Sequence, residues 1–345
     1  MRALTLTAAG SLDYLRVQDV PLPPLVRPDD VRIRIRAAAL NHLDLFVARG
    51  LPGVTYQFPH VMGADGAGEV DAVGAAVTTW SRGDAVMINP GLSCGSCAAC
   101  AVGDESLCPG FRLLGEHVSG TVAEYVVVPA ANLERVPPAM PWAAAAAFPL
   151  ATLTAWRMLV TRAQLQRGET VLVWGVGGGV ALACVRIAAM LGARVIATSG
   201  TPAKLETARE AGAEVLIDHR VDDVAARVRA ATDGRGADVV ADSVGAATWP
   251  VSLKALRRGG RLVTCGATSG PHVQLDVRKL FWHQWSLLGS TMGSRAEFAT
   301  IAAHAAAGRL WPVVDGVVPL AQAADAFRRL DAGEQTGKLV IEVAP

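Results

Sequence analysis

The stretch "ETVLVWGVGGGVALACVRIAAMLGARVIATSG", Glu169–Gly200, carries most of the information about the fold. A β-branched run, "VLVWG", meets a glycine-rich turn, continues as an apolar helical segment through "VALACVRIAAMLGA", and ends in a second strand, "RVIATS". Strand, turn, helix and strand in that order make one βαβ unit. The glycines let the backbone approach a pyrophosphate, which then lies at the helix N-terminus, where unpaired N–H groups favour an anion. The fingerprint is imperfect. Read from Val176, Gly178 takes the middle glycine position and Ala181 the third, while Val176 itself stands at the first, with Gly175 just before it. A glycine-rich turn alone is weak, and the order of elements around it supplies the strength. Gly175, Gly177, Gly178, Gly179 and Val180 are therefore expected at the cofactor. Further strands, "ADVVADSVG" and "GGRLVTCGAT", extend the pattern into a doubly wound α/β sheet.

The end of the second strand tests the 2′ position of the nucleotide. An acid there would bind a free ribose hydroxyl and repel a phosphate. This chain offers Ser199, Gly200 and Thr201, with Lys204 close behind and His219-Arg220 ending the next strand. Neutral donors with cations suit a 2′-phosphate, so NADP is expected over NAD, with Ser199, Lys204 and Arg220 as its contacts; the plainer alternative makes Lys204 and Arg220 ordinary surface charges.

The 345 residues allow two domains with separate cores. Charged residues make up 18% and mean hydropathy is +0.33, which predicts a large buried core. A net charge of +1 without a basic run argues against nucleic acid or an anionic membrane as partner. The arginines of "VRIRIR" (Arg32, Arg34, Arg36) alternate as one solvated strand face. The start, "MRALTLTAAG", lacks the apolar core of a signal peptide, and the uncharged stretch from Val136 to Trp156 carries Pro137, Pro138, Pro141 and Pro149, too many for a membrane span. A soluble, cytoplasmic protein is expected, where clustered thiols stay reduced.

Four cysteines, Cys94, Cys97, Cys100 and Cys108, crowd into "GLSCGSCAACAVGDESLCPG". Thiolates at i, i+3 and i+6 cannot face one point from a regular helix or strand, but they can from a loop wrapped around a tetrahedral ion. The spacing favours one zinc with a closed thiolate shell, hence a structural site, over a metal-free redox loop or an iron–sulfur cluster, whose ferredoxin-type spacing would bring the fourth cysteine three residues on. Cys184 and Cys265 sit in apolar surroundings and read as inert.

Nearly the whole chain resembles the medium-chain dehydrogenase/reductase superfamily, which includes zinc alcohol dehydrogenases and quinone oxidoreductases. The likeness rests on "AAALNHLDLFVARG", "FPHVMGADGAGEV", the four-cysteine lobe, "GEHVSGTVAEYVVVP", "FPLATLTAW", the glycine-rich turn and the closing "GKLVIEV". It implies a GroES-like, β-rich catalytic domain over 1–151 and 289–345, a Rossmann nucleotide-binding domain over 152–288, and substrate bound in the cleft. It also implies a homo-oligomer, dimer or tetramer, and a small-molecule substrate. By the same resemblance Thr154 lies toward the nicotinamide, Cys265, Gly266 and Ser290 line the ribose and ring, and Lys338 occupies a common family position, either with the cofactor or paired to a surface acid.

The departures carry more. The family's catalytic zinc uses a cysteine, a histidine beside a glutamate, and a second cysteine. The matching places here hold Asn41, Ala64 beside Asp65, and Leu150, so the usual catalytic zinc is not expected. A substitute set drawn from His42, Asp44, Asp65, His60 and His117 has no spacing that demands a shared ion. Asn41 reads equally well as a donor to the substrate oxygen and as the cap of the following helix. His42 is a second candidate donor, and Asp65 either orients a donor or binds a backbone amide.

Removing an alcohol proton near neutral pH, on the scale of water's pKa of about 15.7, spans roughly nine units or about 12 kcal/mol, most of which a zinc ion would offset. The tyrosines, Tyr14, Tyr56 and Tyr125, form no Y-x-x-x-K pattern to replace it. Hydride addition to a double bond conjugated to a carbonyl asks less: a hydrogen-bond donor at the enolate oxygen and a proton for the α-carbon. The expected activity is thus an NADPH-dependent enone or quinone reductase. The alternatives are an alcohol or aldehyde dehydrogenase with a non-standard metal or proton relay, and a nucleotide-binding protein with little catalysis.

Overall fold

The computed structural model describes residues 1–344, and the chain forms two compact units, Met1–Leu153 with Gly293–Pro345, and Thr154–Met292. Among the described residues no helix is long and apolar enough to cross a membrane.

The second unit is built on a six-stranded sheet, every neighbouring pair parallel. Across the sheet the strands run Val215–Asp218, Arg194–Ser199, Thr170–Val173, Ala237–Asp242, Leu256–Thr264 and Ser286–Gly289. In order of chain position that is 3-2-1-4-5-6, so the winding reverses at the strand that enters the glycine-rich turn. Val171, Leu172 and Val173 are all fully buried, the continuous apolar run expected of a strand covered on both faces. The helix Gly179–Met190 is buried over most of its length, including Leu182, Val185 and Ile187, which is why its sequence shows no polar face.

The first unit is mainly antiparallel. The strand Asp30–Ala39 lies at its centre, pairing with Asp65–Val73, Tyr125–Pro129 and Lys338–Glu342. Its arginines alternate outward as expected, Arg32 on Asp71 at 2.7 Å and Arg36 on Glu69 at 3.4 Å, while Ile33 and Ile35 point into a core that also holds Phe327, Leu339 and Ile341. Register decides what meets what. Ala39 stands opposite Asp65 on one side and Val340 on the other, so the chain that leaves this strand toward Asn41 emerges beside both Asp65 and Lys338.

A backbone-to-backbone approach holds the segment that delivers Asp65. Thr121 N–H donates to Gly63 O at 2.9 Å and Val122 N–H to Met62 O at 2.9 Å. A β-carbon on Gly120 would stand 2.2 Å from Gly63 O, against backbone that has no room to yield. Gly120→Ala should therefore cost about 1–3 kcal/mol by overpacking. Thermal unfolding checks this, and an unchanged melting temperature would contradict the approach.

Candidate active site and metal centre

Three buried polar side chains meet where the first unit's strands converge. Lys338 opens the closing strand yet is only 3% exposed, and Asp65 is 0% exposed. The Lys338 ammonium donates to Asp65 Oδ2 at 2.8 Å and to Asn41 Oδ1 at 2.5 Å. Asn41 Nδ2 donates to the same Asp65 Oδ2 at 3.0 Å, and the Leu150 backbone N–H donates to Asp65 Oδ1 at 2.8 Å. The amide orientation of Asn41 is dictated by its neighbours: the ammonium has only protons to give, and the carboxylate only lone pairs to accept them. Asp65 thus accepts both from the Asn41 amide and from a backbone N–H. Lys338 pairs with a wholly buried acid rather than a surface one.

Asn41 occupies the N-cap position of the helix His42–Arg49, with extended backbone (φ −130°, ψ 158°), and its side chain meets Asp65 and Lys338 while also facing the Asp44 backbone N–H in a capping box. Asp44 closes that box, accepting from the Asn41 N–H at 2.7 Å. Its carboxyl is pushed up to about 7 because burial disfavours its charge. His42 is exposed at the start of the helix. His60 is buried with Nε2 2.9 Å from Gly115 O, and burial lowers its pKa. His117 accepts at Nδ1 from the Leu113 N–H at 3.2 Å. The three histidines do not assemble. Among the described residues, the group of three or more cysteine, histidine or acidic side chains able to hold an ion is Cys94, Cys97, Cys100 and Cys108.

That group fits zinc. A tetrahedron of Zn–S bonds near 2.3 Å has edges of about 3.8 Å; here Cys94 Sγ is 3.9 Å from Cys100 Sγ, Cys97 Sγ is 3.5 Å from it, and all four sulfurs lie within 4.8 Å. Backbone N–H groups of Ser96 and Cys97 bring the Cys94 thiol down to about 6, toward the thiolate that a metal binds. Asn41, Ala64 and Leu150 offer neither thiolate nor imidazole, and an ammonium lies between Asn41 and Asp65, so these residues do not fit a catalytic zinc.

In the second unit the expected nucleotide contacts gather at the carboxyl ends of the parallel strands. Gly175 turns the chain with φ +66°, Gly178 caps the helix that Gly179 and Val180 begin, and Ser199 ends the neighbouring strand. Lys204 reaches across the turn: a β-carbon on Gly177 would lie 3.1 Å from its Nζ. Arg220 lies alongside Gly200 and is bonded to Asp218 at 3.3 Å. Cys265 and Gly266 follow one strand end and Ser290 another, its N–H on Thr264 O at 2.9 Å. The Ser290 hydroxyl is buried without a hydrogen-bond partner, as a site awaiting a polar ligand would leave it. Thr154 directs its hydroxyl to Met292 Sδ at 3.8 Å. These residues fit a dinucleotide. Burial pushes the Cys265 thiol up to about 12 and the Cys184 thiol well above its usual value, away from the reactive thiolate.

Two features escaped the sequence. One is the Lys338–Asp65 pair, whose signal was a lysine and an aspartate set in otherwise apolar strand text. The other is Asp242, fully buried at a strand end, where it accepts from the N–H groups of Val244 and Gly245 and the hydroxyls of Thr248 and Ser252, and so shapes a loop on the nucleotide edge.

Cys97→Ala should lose the bound zinc and lower the melting temperature while the folded fraction keeps its turnover within a few-fold; selective loss of turnover in a well-folded variant would contradict a structural role. Asp44 makes a pH-dependent contribution. The unfolded carboxyl titrates near 3.9 and the folded one near 7, so the folded state alone keeps the proton in between, and stability falls as pH rises across that window. Asp44→Asn carries no such charge. Its unfolding free energy relative to the parent should increase between about pH 5 and pH 8 in denaturant titrations, and parallel pH profiles would contradict the burial.

Residues 27–138 match the family model described as an alcohol dehydrogenase GroES-like domain, and 179–307 match that of a zinc-binding dehydrogenase. An NAD-dependent alcohol dehydrogenase of Sulfurisphaera tokodaii is 30% identical, with 99% of each chain covered. A crystal structure of an NAD-dependent alcohol dehydrogenase aligns over 100% of both chains at 44% identity, with a TM-score of 0.95. That of a cobalt- and zinc-bound thermostable alcohol dehydrogenase from Pyrobaculum aerophilum aligns over 99% of both at 36% identity, with a TM-score of 0.88. With its GroES-like and Rossmann units and its four-cysteine cluster, the chain belongs to the zinc-binding dehydrogenases of the medium-chain dehydrogenase/reductase superfamily and is an oxidoreductase of that type.

Proposed function

We propose that the protein is an NADPH-dependent reductase of conjugated enones or quinones that works without a catalytic zinc. One observation carries this reading: the Lys338 ammonium is bonded to both Asn41 and Asp65, where a metal would have to compete with it. A divalent cation and an ammonium sharing one carboxylate oxygen would repel strongly in a buried site. The chain keeps a positive charge there, but as a hydrogen-bond donor instead of a Lewis acid.

Bound NADPH supplies the hydride. The residues of the chain have to stabilise the charge that appears on the substrate oxygen when the β-carbon is reduced and the π electrons move to the enolate. Asn41 Nδ2 has two N–H groups. One is held by Asp65, and the other has only a long contact, 3.5 Å, to Ala39 O. Because its carbonyl accepts from an ammonium, the amide is polarised and the second N–H is a stronger donor than that of a free asparagine. Asn41 is therefore the catalytic residue, and Lys338 and Asp65 position it. His42, exposed at the adjacent helix start, or solvent returns the proton to the α-carbon. Ser199, Lys204 and Arg220 support NADPH through neutral and cationic donors at the strand end.

A second reading, alcohol oxidation with NAD, is favoured by the described activity of the relatives and by Asp218, whose bond to Arg220 offsets one of the two cations. We further read the protein as a cytoplasmic homo-oligomer, dimer or tetramer.

Elemental analysis with a substrate panel tests the reading. We expect one zinc per chain and NADPH-dependent turnover of enones or quinones well above any alcohol oxidation; two zinc ions per chain with NAD-linked alcohol oxidation would overturn it. Asn41→Ala should lower kcat about 10²-fold, the usual loss when one oxyanion donor is removed, with little change in the KM for NADPH. Lys338→Met strands the buried Asp65 charge and should cost about 3–5 kcal/mol of stability, which Lys338→Arg should largely restore.

A further inference from the structure

We infer that the Rossmann unit carries a second anion site, for a small molecule bearing two or more phosphoryl groups, on the edge of the sheet opposite the nucleotide. A cavity of about 390 Å³ is lined by Arg229, Arg235, Lys254, Arg258 and Lys279, with no acidic residue in its wall. His283 and Trp285 complete it. Arg235 precedes the strand Ala237–Asp242, Arg258 lies near the start of Leu256–Thr264, and Trp285 directly precedes Ser286–Gly289. The cavity therefore sits at the amino ends of three adjacent parallel strands, a strand's length of roughly 15–20 Å from the carboxyl edge that holds the glycine-rich turn.

The charge is selective in its placement. Lysines and arginines number 32 against 31 acids, so carboxylates are as plentiful as cations. Arg227 finds Asp222, Arg257 finds Asp238, and Arg278 finds Asp276. Their near neighbours in sequence, Arg229, Arg258 and Lys279, turn to the cavity, where none of them pairs with a carboxylate. An ordinary solvated face would mix both signs. Helix carboxyl ends explain part of the pattern: Arg229 and Lys254 stand in the last turns of Val224–Ala231 and Trp249–Ala255, where about half a negative charge resides at each end. Arg235 and Arg258 remain unbalanced, and Lys279 is offset only in part by Asp276, which already pairs with Arg278.

Two of the arginines and the tryptophan are held by hydrogen bonds. Arg229 Nη2 donates to Lys254 O at 2.7 Å and Arg258 Nη1 to Trp282 O at 3.4 Å. Trp285 is anchored by its Nε1 on Arg257 O at 2.9 Å and stacks on His283 with centroids 4.7 Å apart. Several convergent cations, arginine forks among them, match phosphoryl oxygens, and the cavity is too small for a nucleic-acid duplex. The inference is independent of the hydride chemistry proposed above.

The test titrates inorganic tripolyphosphate into protein already saturated with whichever nicotinamide dinucleotide it binds more tightly, so that the glycine-rich turn is filled. Calorimetry should show one site per chain, weakening as salt is raised. The charge-reversing pair R235E/K279E should weaken it at least tenfold, and the milder R235A/K279A several-fold, with the melting temperature and the KM for the dinucleotide unchanged. Both positions are exposed, and the alanine pair guards against any folding defect of the reversal. Absence of saturable binding in the parent protein, binding that survives both variants, or binding only of a long anionic polymer such as heparin would overturn the inference.

Discussion

The buried ion pair between Lys338 and Asp65 is the constraint on which the first unit's polar site depends. Taking both charges out of water costs several kcal/mol per ion, recovered only when the remaining protons and lone pairs find partners. Here they do: Asp65 accepts from the ammonium, from the Asn41 amide and from the Leu150 N–H, and the ammonium is shared with Asn41. The pair therefore cannot shift without leaving a buried charge exposed to apolar surroundings. It ties the closing strand to the strand Asp65–Val73 and to the start of the helix His42–Arg49, and it holds the Asn41 amide in one orientation.

The two units solve different electrostatic problems. The first balances one buried cation against one buried carboxylate and, by burial, raises the Asp44 carboxyl to about 7. The second uses fixed backbone dipoles. Its glycine-rich turn opens onto a helix N-terminus, and Asp242 freezes the adjoining loop with four accepted hydrogen bonds. A dinucleotide's phosphates can then be met by N–H groups that need little reorganisation. The cysteine lobe is a third, self-contained case, because its four sulfurs converge within a segment of fifteen residues, Cys94 to Cys108, and need no distant strand to bring them together.

Legibility followed sequence distance. The βαβ unit was readable because strand period, turn glycines and helix composition all act over a few residues, and the strand order 3-2-1-4-5-6 follows from that winding. The alternating arginines of the central strand were readable for the same reason. The lack of a thiolate or imidazole at Asn41, Ala64 and Leu150 was readable too. The charged partner of Asn41 and Asp65 was not, since Lys338 and Asp65 lie 273 positions apart and nothing in either local stretch announces the other. Asn41 as a helix cap agrees with the capping box that it shares with Asp44, while its amide also meets Asp65 and Lys338, contacts that no local stretch announces.

The amino-acid sequence by itself determined the two-unit α/β architecture, the thiolate cluster and the loss of the usual catalytic ligands, because periodicity, turn chemistry and ligand identity are properties of short segments. The tertiary structure alone decided that an ammonium stands between Asn41 and Asp65, and that unpaired cations converge at the amino ends of three strands. Both outcomes depend on strand register and on which side chains burial removes from water, and those are set only when distant segments pack.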